Sequence, residues 1–248
     1  MDAATKKRIN EALFSFWTGR SGQQQQAGAK PQAQGGTRSA VVGGKHLNAV
    51  RDLIANEFFL AGIPKSQLAT SGRTKVLPGW FRPTKSWDLA VTHGADILAL
   101  IELKSQVGSF GNNANNRSEE AVGVAYDTDM AFRKRLLGKS RPWLGYVYVV
   151  EDSPKSRAPG TRLTNTHYNQ RSIFAQPEAF VSYIERFAIL GEELVKAGLY
   201  QAAWVVTTTS PANGQFGWGD ASLAVSYDRF KAAIRKLTIP LGYKPLSP

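Results

Sequence analysis

Apolar side chains recur at helical intervals over residues 6–18, where Ile9, Leu13, Phe16 and Trp17 form one stripe, and a short amphipathic helix is expected there. Leu47, Val50, Ile54, Phe58 and Ala61 repeat that pattern until Gly62, Ile63 and Pro64 stop it. Alternation takes over in residues 87–106, "WDLAVTHGADILALIELKSQ", which read as two strands around a tight turn. The polar stretch that follows, "SQVGSFGNNANNRSEEA", is expected as a loop, with Asn116 and Glu119 spaced as a capping box for a helix to about Leu137. Residues 143–151, "WLGYVYVVE", form a near-continuous apolar and aromatic run, as in a central strand covered on both faces. A long polar segment, 152–176, precedes a helix opened by "QPEAF" and stopped at Gly198. "AAWVVTTT", residues 202–209, predicts another buried strand, and a last amphipathic helix follows a Gly-rich loop, over about 226–237.

This order of elements implies an α/β fold, a single domain with a mixed central β-sheet flanked by helices. The expected organisation is an N-terminal amphipathic helix (1–20), a Gln- and Gly-rich flexible insert (21–40), and one large domain (41–248). The insert, "SGQQQQAGAKPQAQGGTRSA", cannot bury enough apolar surface to offset its ordering entropy.

Composition narrows the function. With no cysteine and three scattered histidines, a disulfide framework and a thiolate or clustered-histidine zinc site are excluded. The excess of 31 Lys and Arg over 19 Asp and Glu gives a formal charge of +12, which attracts a polyanion: nucleic acid or an anionic membrane surface. The first residues lack the apolar core of a signal peptide, and no stretch is long and apolar enough to span a bilayer, so a cytoplasmic protein is expected.

The hairpin carries three charges that its apolar context does not explain. Glu102 and Lys104 alternate onto one face of their strand. A three-residue loop of Gly94, Ala95 and Asp96 would pair His93 with Ile97 and set Asp88 opposite Glu102. A two-residue loop would set Asp88 opposite Ile101 instead. Like charges across a strand pair repel, and apolar neighbours strengthen the repulsion, so something positive must compensate. Lys104 is one such charge. A hard divalent cation such as Mg²⁺, held by both carboxylates, is another, and it could activate water against a phosphodiester. The alternative is that Asp88 merely opens its strand while Glu102 and Lys104 form a solvated edge.

Asp88 with Glu102, Leu103 and Lys104 on a hairpin resembles the PD-(D/E)xK nuclease site. Together, "RPTKSWDLAV", "IELKSQVGSFGNNANNRSEEAVG" and "AGLYQAAWVV" resemble the Xho-type family of type II restriction endonucleases, from about Lys45 onward. The resemblance implies a restriction-endonuclease-like core and a homodimeric, Mg²⁺-dependent enzyme of a prokaryotic restriction-modification system. It implies cleavage of both strands of double-stranded DNA at CTCGAG, leaving four-base 5′ overhangs, with a cognate DNA methyltransferase as functional partner. By the motif, Asp88 and Glu102 are metal ligands and Lys104 is the catalytic lysine. Trp87 stands where the superfamily's proline would be. The superfamily often adds a glutamate from the preceding helix, which makes Glu57 a further candidate ligand; the alternative is a helix-surface carboxylate beside Phe58. Glu119 or Glu120 could reach the site from the next helix, although capping accounts for Glu119. The N-terminal helix, with Phe16 and Trp17, is a candidate dimer surface.

Arginine suits guanine edges, and asparagine or glutamine suits adenine edges. Asn112, Asn113, Asn115, Asn116 and Arg117 lie just past the candidate catalytic strand, with Asx turns as the alternative explanation. A second cluster holds Lys155, Arg157, Arg162, Asn165, His167, Asn169, Gln170 and Arg171. His167 and Asn169 lack the second histidine of a His-Asn-His nuclease. Lys75, Arg82 and Lys85 are suited to phosphates, or to an ordinary solvated face. A repair or junction nuclease on the same core, or a non-catalytic DNA-binding protein, are the competing functions.

Overall fold

Side-chain alternation along the strands divides the apolar residues into two layers, one on each side of a sheet. The computed structural model describes residues 1–28, 45–158 and 181–246. Among these, six strands form the sheet in the order β1 (Leu68–Ala69), β4 (Leu89–His93), β5 (Asp96–Gln106), β6 (Trp143–Glu151), β7 (Ala202–Thr208) and β8 (Trp218–Asp220). A separate ribbon pairs β2 (Val76–Leu77) with β3 (Lys85–Ser86). β5, β6 and β7 run parallel, while β1–β4, β4–β5 and β7–β8 are antiparallel, so the sheet is mixed as expected.

One layer packs Leu89, Ile101, Val147 and Trp204 against α1 (Ala3–Gly28), α2 (Asn48–Leu60) and α6 (Tyr227–Thr238). The other packs Leu100, Tyr146, Tyr148 and Val205 against α3 (Phe110–Arg133) and α5 (Tyr183–Lys196). α4 (Pro154–Arg157) is a single turn after β6. The central strands are buried on both faces, which is why they read as continuous apolar runs. No helix among the described residues is long and apolar enough to cross a membrane.

Several expectations need correction. The first helix does not end near residue 20 but continues to Gly28, into the insert. Glutamine and alanine are good helix formers, and extending a helix already anchored by packing costs little. The rest of the insert, 29–44, lies outside the described residues. Phe16 and Trp17 do not form an outer surface: both are buried in the sheet layer, and Trp17 Nε1 donates to Thr208 Oγ1 at 3.2 Å. β8 lies within the expected Gly-rich loop. The opening of the helix at "QPEAF" lies outside the described residues; α5 itself starts from a capping box of Ser182 and Glu185.

The Asn-rich stretch after β5 is helix, not loop. α3 starts at Phe110, so the Asn116–Glu119 capping box falls inside it. Asparagine is a poor helix former, but Phe110, Ala114, Ala121 and Ala125 bury one stripe against the sheet, and that packing overrides propensity. The helix ends at Arg133, short of Leu137.

Candidate active site

The hairpin turns in two residues, the shorter of the two possible loops, yet Asp88 still meets Glu102. His93 pairs with Asp96 around Gly94 and Ala95, which is a two-residue turn. Gly94 takes φ 61°, the left-handed value that such hairpin turns require at their first position. Alone, this turn would set Asp88 opposite Ile101. Register then shifts between Val91 and Thr92: Thr92 pairs with Ile97 and Val91 with Ala99, leaving Leu98 unpaired. This bulge restores the parity, since Leu89 pairs with Ile101 and the next position brings Asp88 to Glu102. The Leu103 N–H donates to Asp88 Oδ2 at 2.7 Å and fixes the carboxylate there.

Glu102 is only 2% exposed and is held by two cations. Lys85 Nζ lies 2.7 Å from one of its oxygens and Lys104 Nζ 2.8 Å from the other. The β2–β3 ribbon brings Lys85 in, with its ammonium 4.8 Å from the centre of the Trp87 ring. From α3, Glu120 lies 3.6 Å from Lys104 and pairs with Arg117 at 2.6 Å. In β6, Tyr146 stands beside Glu102 and Tyr148 beside Lys104. Burial pushes both tyrosine hydroxyls far above their usual range, so they stay neutral.

The electrostatics separate the two carboxylates. Burial, and then the charge of Glu102, push Asp88 upward, only partly opposed by the Leu103 N–H and the two lysines. Burial also works against ionisation of Glu102, but Lys104 and Lys85 outweigh it and hold the group below its usual value. Lys104 loses solvation, yet Glu102 and Glu120 raise its pKa overall, so it carries its proton at neutral pH.

A divalent cation fits this donor set. Both groups are hard oxygen donors, and the repulsion that raises Asp88 is what a cation between them would relieve. Lys85 and Lys104 supply the positive charge to Glu102 in this structure, so an ion there would displace at least one of those contacts. No group of three or more His, Cys, Asp or Glu capable of holding a metal occurs among the described residues. The remaining ligands would be water and substrate oxygens.

Other expected site residues lie elsewhere. Glu57 is buried on the opposite side of the sheet, 3.4 Å from Arg8 and 3.7 Å from Lys231, and is not brought to Asp88 and Glu102. Its helix covers the wrong face, which the spacing along that helix alone does not reveal. Arg82 is bound to Asp127 at 2.8 Å, and Lys75 donates to the Trp87 carbonyl at 2.6 Å. Asn113 donates to the Ser109 carbonyl, Asn115 accepts from Arg186, and Asn116 is exposed. The side chain of Asn112 lies outside the described residues. Arg157 pairs with Asp152, and Lys155 is exposed. Arg162, Asn165, His167, Asn169, Gln170 and Arg171 also lie outside the described residues.

The sequence reading passed over Tyr146 and Tyr148, and took Lys85 for a phosphate contact or a solvated surface residue rather than a partner of Glu102. The alternating aromatic pattern of "YVY" beside the hairpin was the available signal for the tyrosines.

Comparison with known proteins adds an independent line. The family model described as restriction endonuclease XhoI matches residues 23–218. The chain is 38% identical over 202 residues to the type II restriction enzyme XhoI of Xanthomonas vasicola, covering 80% of this chain and 79% of that protein. It is 38% identical over 175 residues to BstVI of Geobacillus stearothermophilus (68% and 75% covered), and 39% over 177 residues to AbrI of Azospirillum brasilense (69% and 78%), both type II restriction enzymes. No solved structure matches it significantly.

Proposed function

Since the chain belongs to the XhoI restriction endonuclease family, we propose that it is a type II restriction endonuclease, hydrolysing phosphodiester bonds in both strands of double-stranded DNA at a short palindromic site. The observation that carries this reading is Asp88 set opposite Glu102, with Lys104 on the same strand face, in a chain of charge +12. The proposed site is CTCGAG, cut after its first base to leave four-base 5′ overhangs. The enzyme acts as a homodimer, because a palindrome presents two equivalent scissile bonds. A cognate methyltransferase would protect the same sequence in the host.

Asp88 and Glu102 would hold the cation, with Mg²⁺ favoured by their hard oxygens. When bound, it supplies an acidified water and neutralises charge on the phosphate oxygens. The chain's own residues do the rest. Lys104, kept protonated by Glu102 and Glu120, holds a positive charge at Nζ where negative charge accumulates on the phosphate. Arg117 fixes Glu120 and thereby the direction of Lys104. Tyr146 and Tyr148 wall the site with neutral, buried side chains, so its charges act with little screening. Asn113, Asn115, Asn116 and Arg117, on the opening turns of α3, are the proposed base and phosphate contacts nearest the site.

Plasmid digestion with Mg²⁺, followed by sequencing of the fragment ends, tests this, with Lys104→Ala alongside. Ends at CTCGAG that vanish in the variant are expected. Discrete ends elsewhere would retain the enzyme class and reject the site. Smearing would favour a repair or junction nuclease, and intact DNA a binding protein.

A further inference from the structure

Away from the carboxylates, the segment between β2 and β3 holds large aromatic rings in water. Trp80 is 45% exposed and Phe81 65%. Phe81 stacks on Tyr126 of α3, with ring centroids 5.9 Å apart and planes at 14°, and Tyr126 is itself 54% exposed. Lys134 Nζ lies 4.9 Å from the centre of the Trp80 ring. These rings border an open depression lined by Gly79, Trp80, Phe81, Arg82, Pro83 and Leu136.

The loop is held in this form by one buried carboxylate. Asp127 accepts from Trp80 N at 2.9 Å, Phe81 N at 2.7 Å and Arg82 Nε at 2.8 Å. Gly79 permits the approach, since a Cβ there would lie 2.4 Å from Asp127 Oδ2. Ordering a loop so that its aromatic side chains face solvent reduces the entropy cost of binding something that covers them.

Two elements link this patch to the candidate active site. The loop leads into β3, where Lys85 touches Glu102, and α3 carries Glu120 and Arg117 before it reaches Tyr126 and Asp127. Lys134 contributes a cation over the Trp80 ring, while Arg82 and Asp127 neutralise each other. Lys134 and the net charge of +12 complement a polyanion, and the exposed rings complement its apolar faces.

We propose that Trp80, Phe81 and Tyr126 form a DNA-binding surface flanking the cut site. Their rings pack against sugars and base edges in a groove, and Lys134 meets an adjoining phosphate. The proposal rests on the nuclease reading and extends it to residues outside the cleavage motif.

The test is fluorescence anisotropy with a short labelled CTCGAG duplex and a scrambled one, in Ca²⁺, together with sedimentation velocity of the free protein. Phe81→Ser combined with Tyr126→Ser should weaken binding to both duplexes by about tenfold or more without changing sedimentation. Lys134→Gln should reduce the salt slope by about one. Unchanged affinity and salt slope overturn the proposal. Altered sedimentation of the double variant also overturns it, assigning the patch to a protein contact. Wild-type protein that binds neither duplex refutes the nuclease reading itself, and so is distinguished from failure of the surface alone.

Discussion

Each face of the sheet buries one glutamate between two cations, and the two clusters differ in what else is present. Glu57, 3% exposed, lies between Arg8 of α1 and Lys231 of α6, which ties three helices together. Glu102, 2% exposed, lies between Lys85 and Lys104 but also faces Asp88. Burial with paired charge is therefore common to a structural cluster and to the candidate site. The like-charged neighbour distinguishes them: burial and Glu102 raise the pKa of Asp88, an arrangement that a structural ion pair has no need of.

The sharpest break of that contrast is Asp88→Asn. Cleavage should fall by about a thousandfold or more, through loss of a metal ligand, whereas stability should hold or rise because an unfavourable charge is gone. Plasmid digestion and urea unfolding measure both, and a variant that cuts normally sinks the assignment. The closed face has its own signature in pH. Burial, and then the Arg20 charge, lower His46 to about 4 from 6.5, so the native state favours the neutral ring. Its contribution is complete above 6.5 and is lost as pH falls through 4, by about 3 kcal/mol. His46→Gln should flatten the slope of unfolding free energy against pH in this window; an equally steep slope would point to other groups.

Glu57→Gln should cost about 2 kcal/mol by leaving Arg8 and Lys231 less compensated, with cleavage per folded molecule unchanged. A fall in single-turnover rate larger than the unfolded fraction accounts for would join the two faces functionally. The smallest effect is expected at Asp127→Asn, about 1 kcal/mol, because the loop amides keep an acceptor while Arg82 loses its ion pair. Burial opposes ionisation of Asp127, but the Phe81 N–H, Arg82 and the Trp80 N–H hold it below 3.8. Its contribution is thus present above 3.8 and disappears in stronger acid, which urea unfolding of the two proteins across that range would register.

Much of the fold was legible along the chain. β6 matches the expected strand residue for residue, and α2, β7 and α6 follow their patterns closely, because each buries a face whose period is written locally. The hairpin shows the limit of such reading: loop length was open between two and three residues, and the bulge at Leu98 lets the two-residue turn reach the same pairing of Leu89 with Ile101. The Asn-rich start of α3 was misread because its helical state comes from Phe110 and Ala114 packing on the sheet.

That Glu102 and Lys104 share a strand face was legible from the chain alone, because strand periodicity sets which side of its own element a residue occupies, and the hairpin register made Asp88 a candidate neighbour. The placing of Lys85, Glu120 and Arg117 around them, the wall of Tyr146 and Tyr148, and the removal of Glu57 to the far side were decided by tertiary structure. Which face of the sheet a helix covers depends on crossovers and on packing between residues distant in sequence, and neither leaves a period in the sequence of the helix itself.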